Sequence, residues 1–405
     1  MRRGLAAALL ISWASIAHAA DTVTVGAIYP LGLDPDDRAA IETAAEIVNT
    51  PHPGLETLLL GAGQGLPHLG GAKITVDFAN DLANPSAATG QALRLVTQDH
   101  VAALIGAGGA VETLAASALA ERHGVPFLAP DAEAPSVTGR GSQWVFRTTP
   151  LAGDFARAYI QFLSGLKIAG TKIVAVATVF PATDQGSAFD TQMRSAAKAA
   201  GFTYAAGLGY SLGAADLSPV VMGLKAGHPD VVIIDADLAD ARLLVTTMNT
   251  LGYRPPLLIG DDAGFSDPAF VTAVGNLAQG LIDRSVWSAG KEGSPTAIIN
   301  DLFKAKSGHD LDDRGARIMQ GLFVLADAID HSGSTDAAAI REALQATDLK
   351  PDGLIVGYDG VKFDATGQNV LAATYLTQLR GKQYVTVWPT ARAAGKLELP
   401  FRGWE

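Results

Sequence analysis

No cysteine occurs among the 405 residues, so disulfide frameworks, thiolate zinc sites, iron–sulfur clusters and thiol nucleophiles are excluded. Charged residues are scarce at 18%, and neither Lys nor Arg forms a run. The 30 basic residues are outnumbered by 41 acidic ones, for a formal charge of −11. That balance argues against binding to nucleic acid or an anionic lipid surface. There is no GxSxG elbow, no Walker lysine loop and no HExxH. The eight histidines are scattered and none pairs at ligand spacing, which argues against a transition-metal site and against histidine catalysis. No metal, cofactor or catalytic residue is expected.

A hydrophobic content of 48% excludes a disordered chain and allows substantial cores. The length suggests two or three domains at roughly 150 residues each. The first residues differ from the rest. Arg2 and Arg3 precede an apolar stretch from Gly4 to Ile16, and Ala17-His18-Ala19 follows. Small residues at those spacings fit signal-peptidase cleavage after Ala19, so residues 1–19 are expected to be a removed signal peptide. The stretch is too short for a permanent anchor, and no later segment reaches 18 unbroken apolar residues. The expectation is an exported, soluble, monomeric protein, most simply in a bacterial periplasm.

Short Val- and Ile-rich runs then alternate with Ala-rich helical patterns. Strands are expected at Val23–Tyr29, Lys73–Phe78, Val101–Ile105, Val125–Leu128, Lys172–Thr178, Val231–Ile234, Leu257–Ile259 and Leu281–Val286. Near-continuous apolar strands alternating with helices imply parallel sheets covered on both faces, an α/β class. Two stretches, Lys73–Ala107 and Thr203–Ala236, repeat the same strand–turn–helix–strand order, which suggests two domains on one plan. The tail reads differently. Leu354–Tyr358, Val361–Phe363, Ala373–Leu379 and Tyr384–Trp388 are short strands between turn residues, an antiparallel finish. His52–Gly71, rich in Gly, Pro and Leu, reads as a surface loop or insertion.

Two features carry chemistry. Gly106-Ala107-Gly108-Gly109 follows a strand and opens a helix, the setting of a dinucleotide-binding turn. The third glycine of that fingerprint would fall at Val111, so a cofactor is not expected. The turn is either a seat for a ligand carboxylate at a helix N-terminus or a packing turn. The second feature is acidic. Asp131 and Glu133, Asp235 and Asp237, and Asp261 and Asp262 each follow an expected strand. Ligands of open parallel sheets lie beyond the strands' carboxyl ends, so these acids suggest a site for an amine or another cation. Each one could instead be a turn or helix-cap residue.

In order and spacing, "VTVGAIYPL" (Val23–Leu31), "DLANPSAATGQALRLVTQDHVAALIGAG" (Asp81–Gly108), "LAASALAERHGVPFLAPDAEAPSVTGRGSQWVFRTTP" (Leu114–Pro150), "PDVVIIDADLADARLLVTTMNTLGY" (Pro229–Tyr253), "LIGDDAGFSDPAFV" (Leu258–Val271), "GLFVLADAI" (Gly321–Ile329) and "VKFDATGQN" (Val361–Asn369) resemble the leucine/isoleucine/valine-binding family of type I periplasmic solute-binding proteins. The resemblance covers nearly the whole chain after Ala19. It implies two Rossmann-like lobes with parallel-rich sheets, joined by three hinge crossovers near Arg147–Thr149, Ser285–Trp287 and Leu354–Gly357. Lobe 1 would comprise residues 20–146 plus 286–353, and lobe 2 residues 147–285 plus 354–405. It further implies a non-enzymatic role, delivery of a small solute to the membrane permease subunits of an ABC importer, with an exported ligand sensor of the same fold as the alternative. An exported α/β enzyme would need a nucleophile–base pair or a cofactor turn, and neither is visible.

By the same resemblance, the ligand site would draw on Tyr29, Gly108, Gly109, Ala110, Asp131, Ala132, Glu133, Gln185, Asp237 and Asp262. Departures from the family pattern cluster there. Gly109 and Ala110 stand where serines are usual, Ala132-Glu133 replaces Ala-Thr, and Gln185-Gly186 replaces Tyr-Gly. The family's acid persists as Asp262. The added carboxylates, read as uncompensated, point to an amine, a basic amino acid or an amide-like solute.

Overall fold

The computed structural model describes residues 22–261 and 263–403. The expected signal peptide, and Asp262, lie outside the described residues. Among those described, no helix is long and apolar enough to cross a membrane.

The first sheet contains β1 (Thr22–Tyr29), β2 (Lys73–Asn80), β3 (Ala103–Gly106), β4 (Phe127–Ala129) and β5 (Val145–Arg147), in the order β2-β1-β3-β4-β5 and parallel throughout. The second contains β6 (Ala175–Pro181), β7 (Thr203–Tyr210), β8 (Val231–Asp235), β9 (Leu257–Asp261) and β10 (Ile282–Ser285). These five run parallel in the order β7-β6-β8-β9-β10, the same plan as the first sheet. The expected internal repeat is therefore real. Each sheet reverses its strand order beside its first strand, and ligands of such sheets bind outside that crevice. A short pair, β11 (Asp348–Leu349) and β12 (Val361–Lys362), stands apart. β13 (Tyr375–Arg380) and β14 (Gln383–Trp388) then extend the second sheet antiparallel, as the tail's pattern implies.

Helices fill the connections: α1 (Pro35–Asn49), α2 (Pro85–Thr97), α3 (Ala110–His123), α4 (Ser136–Gly139), α5 (Ala152–Ile168), α6 (Asp184–Ala199), α7 (Ser218–Gly227), α8 (Leu238–Thr250), α9 (Ala263–Ser266), α10 (Pro268–Val274), α11 (Pro295–Ser307), α12 (Asp313–Ser332) and α13 (Ala337–Ala346). Their starts follow local rules. Asn84 accepts from the Ser86 and Ala87 N–H groups while Pro85 enters first, where its missing N–H leaves no bond unmade. α12 is buried on nearly every side, between α1, α13 and the first sheet, and forms the spine of that lobe.

Three expectations change. β6 begins at Ala175, not Lys172, because the Asp230 carboxylate takes the Val174 and Ala175 N–H groups at 2.7 and 2.9 Å and fixes the strand's entry. α11 had not been expected. Its signal is the sequence Ser294-Pro295, where the Ser294 hydroxyl caps the Ala297 N–H. Leu354–Tyr358 is not a strand. The Ile355 N–H donates to the Gln320 side chain and the Gly357 N–H to the Val286 carbonyl. Leu354, Ile355, Val356 and Phe363 pack in the core of the first lobe. The third passage between lobes therefore runs over residues 369–375, later than Leu354–Gly357. It is tied to the first passage at Arg147, whose carbonyl accepts the Asn369 N–H at 2.9 Å and whose Nε donates to Gln368 at 2.6 Å. His52–Gly71 is irregular as expected, yet it buries Leu55, Leu58 and Leu66.

Gly321 lets α12 lie close to the β4 loop, since a Cβ there would come within 2.5 Å of the Pro130 Cβ. Gly321→Val should lower unfolding stability by about 1–3 kcal/mol through overpacking, although valine is the better helix former. Gly90 in α2 has nothing within 4 Å of such a Cβ, and Gly90→Ala should stabilise by about 0.4–1 kcal/mol. Urea unfolding measures both. An unchanged midpoint for Gly321→Val contradicts the close approach.

Candidate functional site: the interlobe cleft

A cavity of about 660 Å³ opens between the lobes, at the carboxyl ends of β3, β4, β6, β8 and β9. Much of its wall is apolar. Ala110, Val111 and Leu114 come from α3, and Ala134 and Pro135 from the loop after β4. Ala152 and Phe155 come from α5, and Ala188 and Phe189 from α6. The polar wall consists of Glu112, Glu133, Ser136, Thr183, Asp184, Gln185, Asp235, Asp261 and Arg284. The N-termini of α3 and α6 meet here from opposite lobes. Gly109 caps α3 in an extended conformation with no side-chain acceptor, whereas the Thr183 hydroxyl caps α6 through the Gly186 N–H. The positive ends of both helix dipoles therefore face the cavity.

Below the cavity runs a ladder of alternating charges. Arg314 and Arg317, one turn apart on α12, meet acids of the first lobe. Arg314 binds Asp34, Asp37 (2.8 Å) and Asp131 (2.9 Å). Arg317 binds Asp131 (3.2 Å), Glu133 (2.8 Å) and Asp313 (3.1 Å). Glu133 also accepts from Arg284 of β10 at 3.0 Å, and Arg284 binds Asp261 at 2.6 Å. The Tyr159 hydroxyl donates to Asp261, and the Arg284 guanidinium lies 3.8 Å from the centre of the Phe155 ring. The Arg317 and Arg284 side chains are only 3% and 2% exposed. Burial works against the charge on Arg314 and Arg317, but the surrounding carboxylates outweigh it and hold both guanidinium pKa values above normal.

The Glu133 loop has a separate brace. Arg147 is fully buried and donates to the Ala132 and Ala134 carbonyls at 3.2 and 2.5 Å, on either side of Glu133. Its Nη2 donates to Thr138 at 2.9 Å. Burial pushes its pKa down to about 10.

Of the residues expected at the site, Ala110, Glu133 and Gln185 line the cavity. Gly109 caps α3, and Gly108 lies against Arg314, where a Cβ would come within 2.4 Å of Nη2. Four others serve elsewhere. Tyr29 is wholly buried in the first core, because β1 is covered on both faces. Asp131 turns to the α12 arginines, and Ala132 is held through its carbonyl by Arg147. Asp237 caps α8 through the Asp240 N–H, leaving Asp235 to face the cavity. The reading of uncompensated carboxylates is corrected: Asp131, Glu133 and Asp261 have arginine partners. Arg284 was missed. Its signal is the pair of charges, Asp283 and Arg284, inside a short strand bounded by Leu281, Ile282 and Val286, since a charge in a buried strand demands a partner.

Two similarly wound α/β lobes facing each other across a cleft at their strand ends define a two-lobed solute-binding protein. The profile of the periplasmic binding protein family matches residues 22–383, and the chain belongs to that family. It is 29% identical over 407 aligned residues to the Leu/Ile/Val-binding protein homolog 7 of Brucella suis biovar 1, covering 96% of each chain. Among solved structures it resembles the branched-chain amino acid transporter substrate-binding protein LivJ of Streptococcus pneumoniae in complex with isoleucine. That match has a TM-score of 0.73 and 19% identity, over 94% of this chain and 100% of the other. It also resembles a solute-binding protein of an ABC transporter from Rhodopseudomonas palustris BisB5 in complex with 3,4-dihydroxybenzoic acid. There the TM-score is 0.71 with 19% identity, over 90% and 95% of the two chains.

The ladder holds more carboxylates than guanidinium groups, and buried Asp37 absorbs part of the excess. Burial raises its pKa to about 8, with Asp34 and Asp131 adding to the rise and Arg314 opposing it. Asp37 thus keeps its proton in the folded protein well above the unfolded carboxyl value. Its contribution to stability is complete at low pH and is lost as pH rises toward about 8. Asp37→Asn should therefore gain melting temperature relative to wild type between pH 5 and 8, with a constant difference above that range. A difference independent of pH contradicts the assignment.

Proposed function

We propose that this protein is the exported, periplasmic solute-capturing component of an ABC importer. It binds a small solute by closing its two lobes and presents the closed form to membrane permease subunits. The observation that carries this reading is the cavity walled by strand ends and helix N-termini of both lobes. A solute there touches both walls only when the lobes are closed, so binding favours the closed state by the difference in contacts. Family membership and the ligand-bound relatives support the same reading.

The cavity also bears on the solute's class. Glu112, Glu133, Asp184, Asp235 and Asp261 stand on its wall against Arg284. An apolar wall edged by polar side chains and by two helix N-termini fits an amino acid, amine or amide-like solute with an apolar body and a polar end. A solute carboxylate would take the first turn of α3 at Ala110, and Asp262, directly after β9, is the proposed partner of an amine. Gln185, on the opposite lobe, supplies a hydrogen-bonding amide.

The experiment is native mass spectrometry of protein purified from periplasm without unfolding, followed by calorimetry with the solute found. Ala188→Trp on α6 fills the cavity from the second lobe and should weaken binding at least about tenfold, ~1.4 kcal/mol. Equal affinities for wild type and Ala188→Trp, or chemical turnover of the solute, overturns the proposal.

A further inference from the structure

Most buried ion pairs of the ladder join parts of one lobe. The pair between Glu133 and Arg284 does not. Glu133 stands on the loop after β4 of the first lobe, and Arg284 on β10 of the second. Both line the cavity, and their side chains are 11% and 2% exposed. We infer that this pair is a latch that raises the closed fraction of the solute-free protein, short of holding it shut, and thereby contributes to the affinity of the cleft. The inference rests on the reading of the cleft as one that opens and closes.

What distinguishes a latch from an ordinary buried ion pair is the partner left to each residue when it parts. On its own lobe, Glu133 keeps Arg317 at 2.8 Å. On the other lobe, Arg284 keeps Asp261 at 2.6 Å and its stacking on Phe155. Separation therefore strands neither a lone carboxylate nor a lone guanidinium, which is the event that makes breaking a buried pair so costly. Within the cavity this crossing bond joins two groups that are each satisfied without it, so it can open and close without unfolding either lobe; outside the cavity, Arg392 after β14 also reaches Asp359 at 3.2 Å. Closing removes water from the pair and strengthens its attraction, while the desolvation of the same groups opposes that gain. The near-cancellation suits an element that must be poised between two states.

Arg147 adds the reason the latch is in register. It holds the carbonyls on both sides of Glu133 and also binds Gln368, next to the third passage between lobes. The loop that presents Glu133 is thus fixed to the hinge rather than left to move by itself.

The absence of cysteine makes the test direct, because two introduced thiols can be labelled without background. Ser86→Cys at the start of α2 and Ser211→Cys after β7 are exposed positions, one on each lobe. Single-molecule energy transfer between them reads the lobe separation without any solute. Glu133→Gln should move the solute-free population to longer separations. Glu133→Asp, which keeps the charge but shortens the reach, should do the same. Because Glu133 also lines the cavity, affinity for the co-purified solute should fall by at least the factor by which the closed fraction falls. Identical separations for wild type and both variants, each with the wild-type circular dichroism spectrum, overturn the latch. A solute that still binds in that case leaves the proposed function standing. Shifted separations in a protein that captures no solute support the latch and remove the function.

Discussion

Arg317 is the residue on which the geometry of the cleft depends. It is 3% exposed on the buried spine helix of the first lobe, and a guanidinium there must be met by carboxylates. Asp131, Glu133 and Asp313 meet it. Two of these stand on the loop after β4, so satisfying one buried charge fixes the loop that forms a wall of the cavity. Arg314, one turn earlier, repeats the demand and draws in Asp34 and Asp37 from the loop and helix after β1. Carboxyl ends of separate strands are thus gathered on one helix. Gly108 and Gly321 are the spatial conditions for this, one making room for Arg314 and the other for Pro130.

The second lobe uses the same winding with different chemistry. Its strand ends offer Asp235 and Asp261, and its counter-charge, Arg284, comes from the strand that leads out of the lobe. One lobe carries its guanidinium groups on a helix and the other on a hinge-proximal strand. The two systems meet at Glu133. The apolar walls do what charge does not. They give a solute's body a surface to bury against, worth roughly 25 cal/mol per Å² removed from water. The polar groups fix its orientation.

Much of this architecture was legible in the sequence. Strand–helix alternation and the two matching stretches implied the doubled parallel plan, because apolar runs such as Val231–Ile234 suit only strands covered on both faces. Acids placed directly after expected strands lie at the ends of both sheets where the cavity opens. Their partners were not legible, since Arg284 lies 151 residues from Glu133 and Arg314 lies 183 from Asp131. Such pairs exist only once the topology is known. Asp237 was chosen over Asp235 for a related reason. Asp235 ends β8 and Asp237 follows it, and the start of α8 claims the later one as its cap. The third passage was placed too early because Leu354–Val356 has the composition of a strand. Its N–H groups go instead to a glutamine and a distant carbonyl, which composition does not reveal.

On the proposed function, a small solute in this cavity closes two lobes that otherwise move apart. Small-angle X-ray scattering tests it most directly, on protein unfolded and refolded to remove solute and then titrated with the solute found by mass spectrometry. The radius of gyration should fall on saturation and follow the binding isotherm. A scattering profile unchanged while calorimetry shows the site full would contradict it.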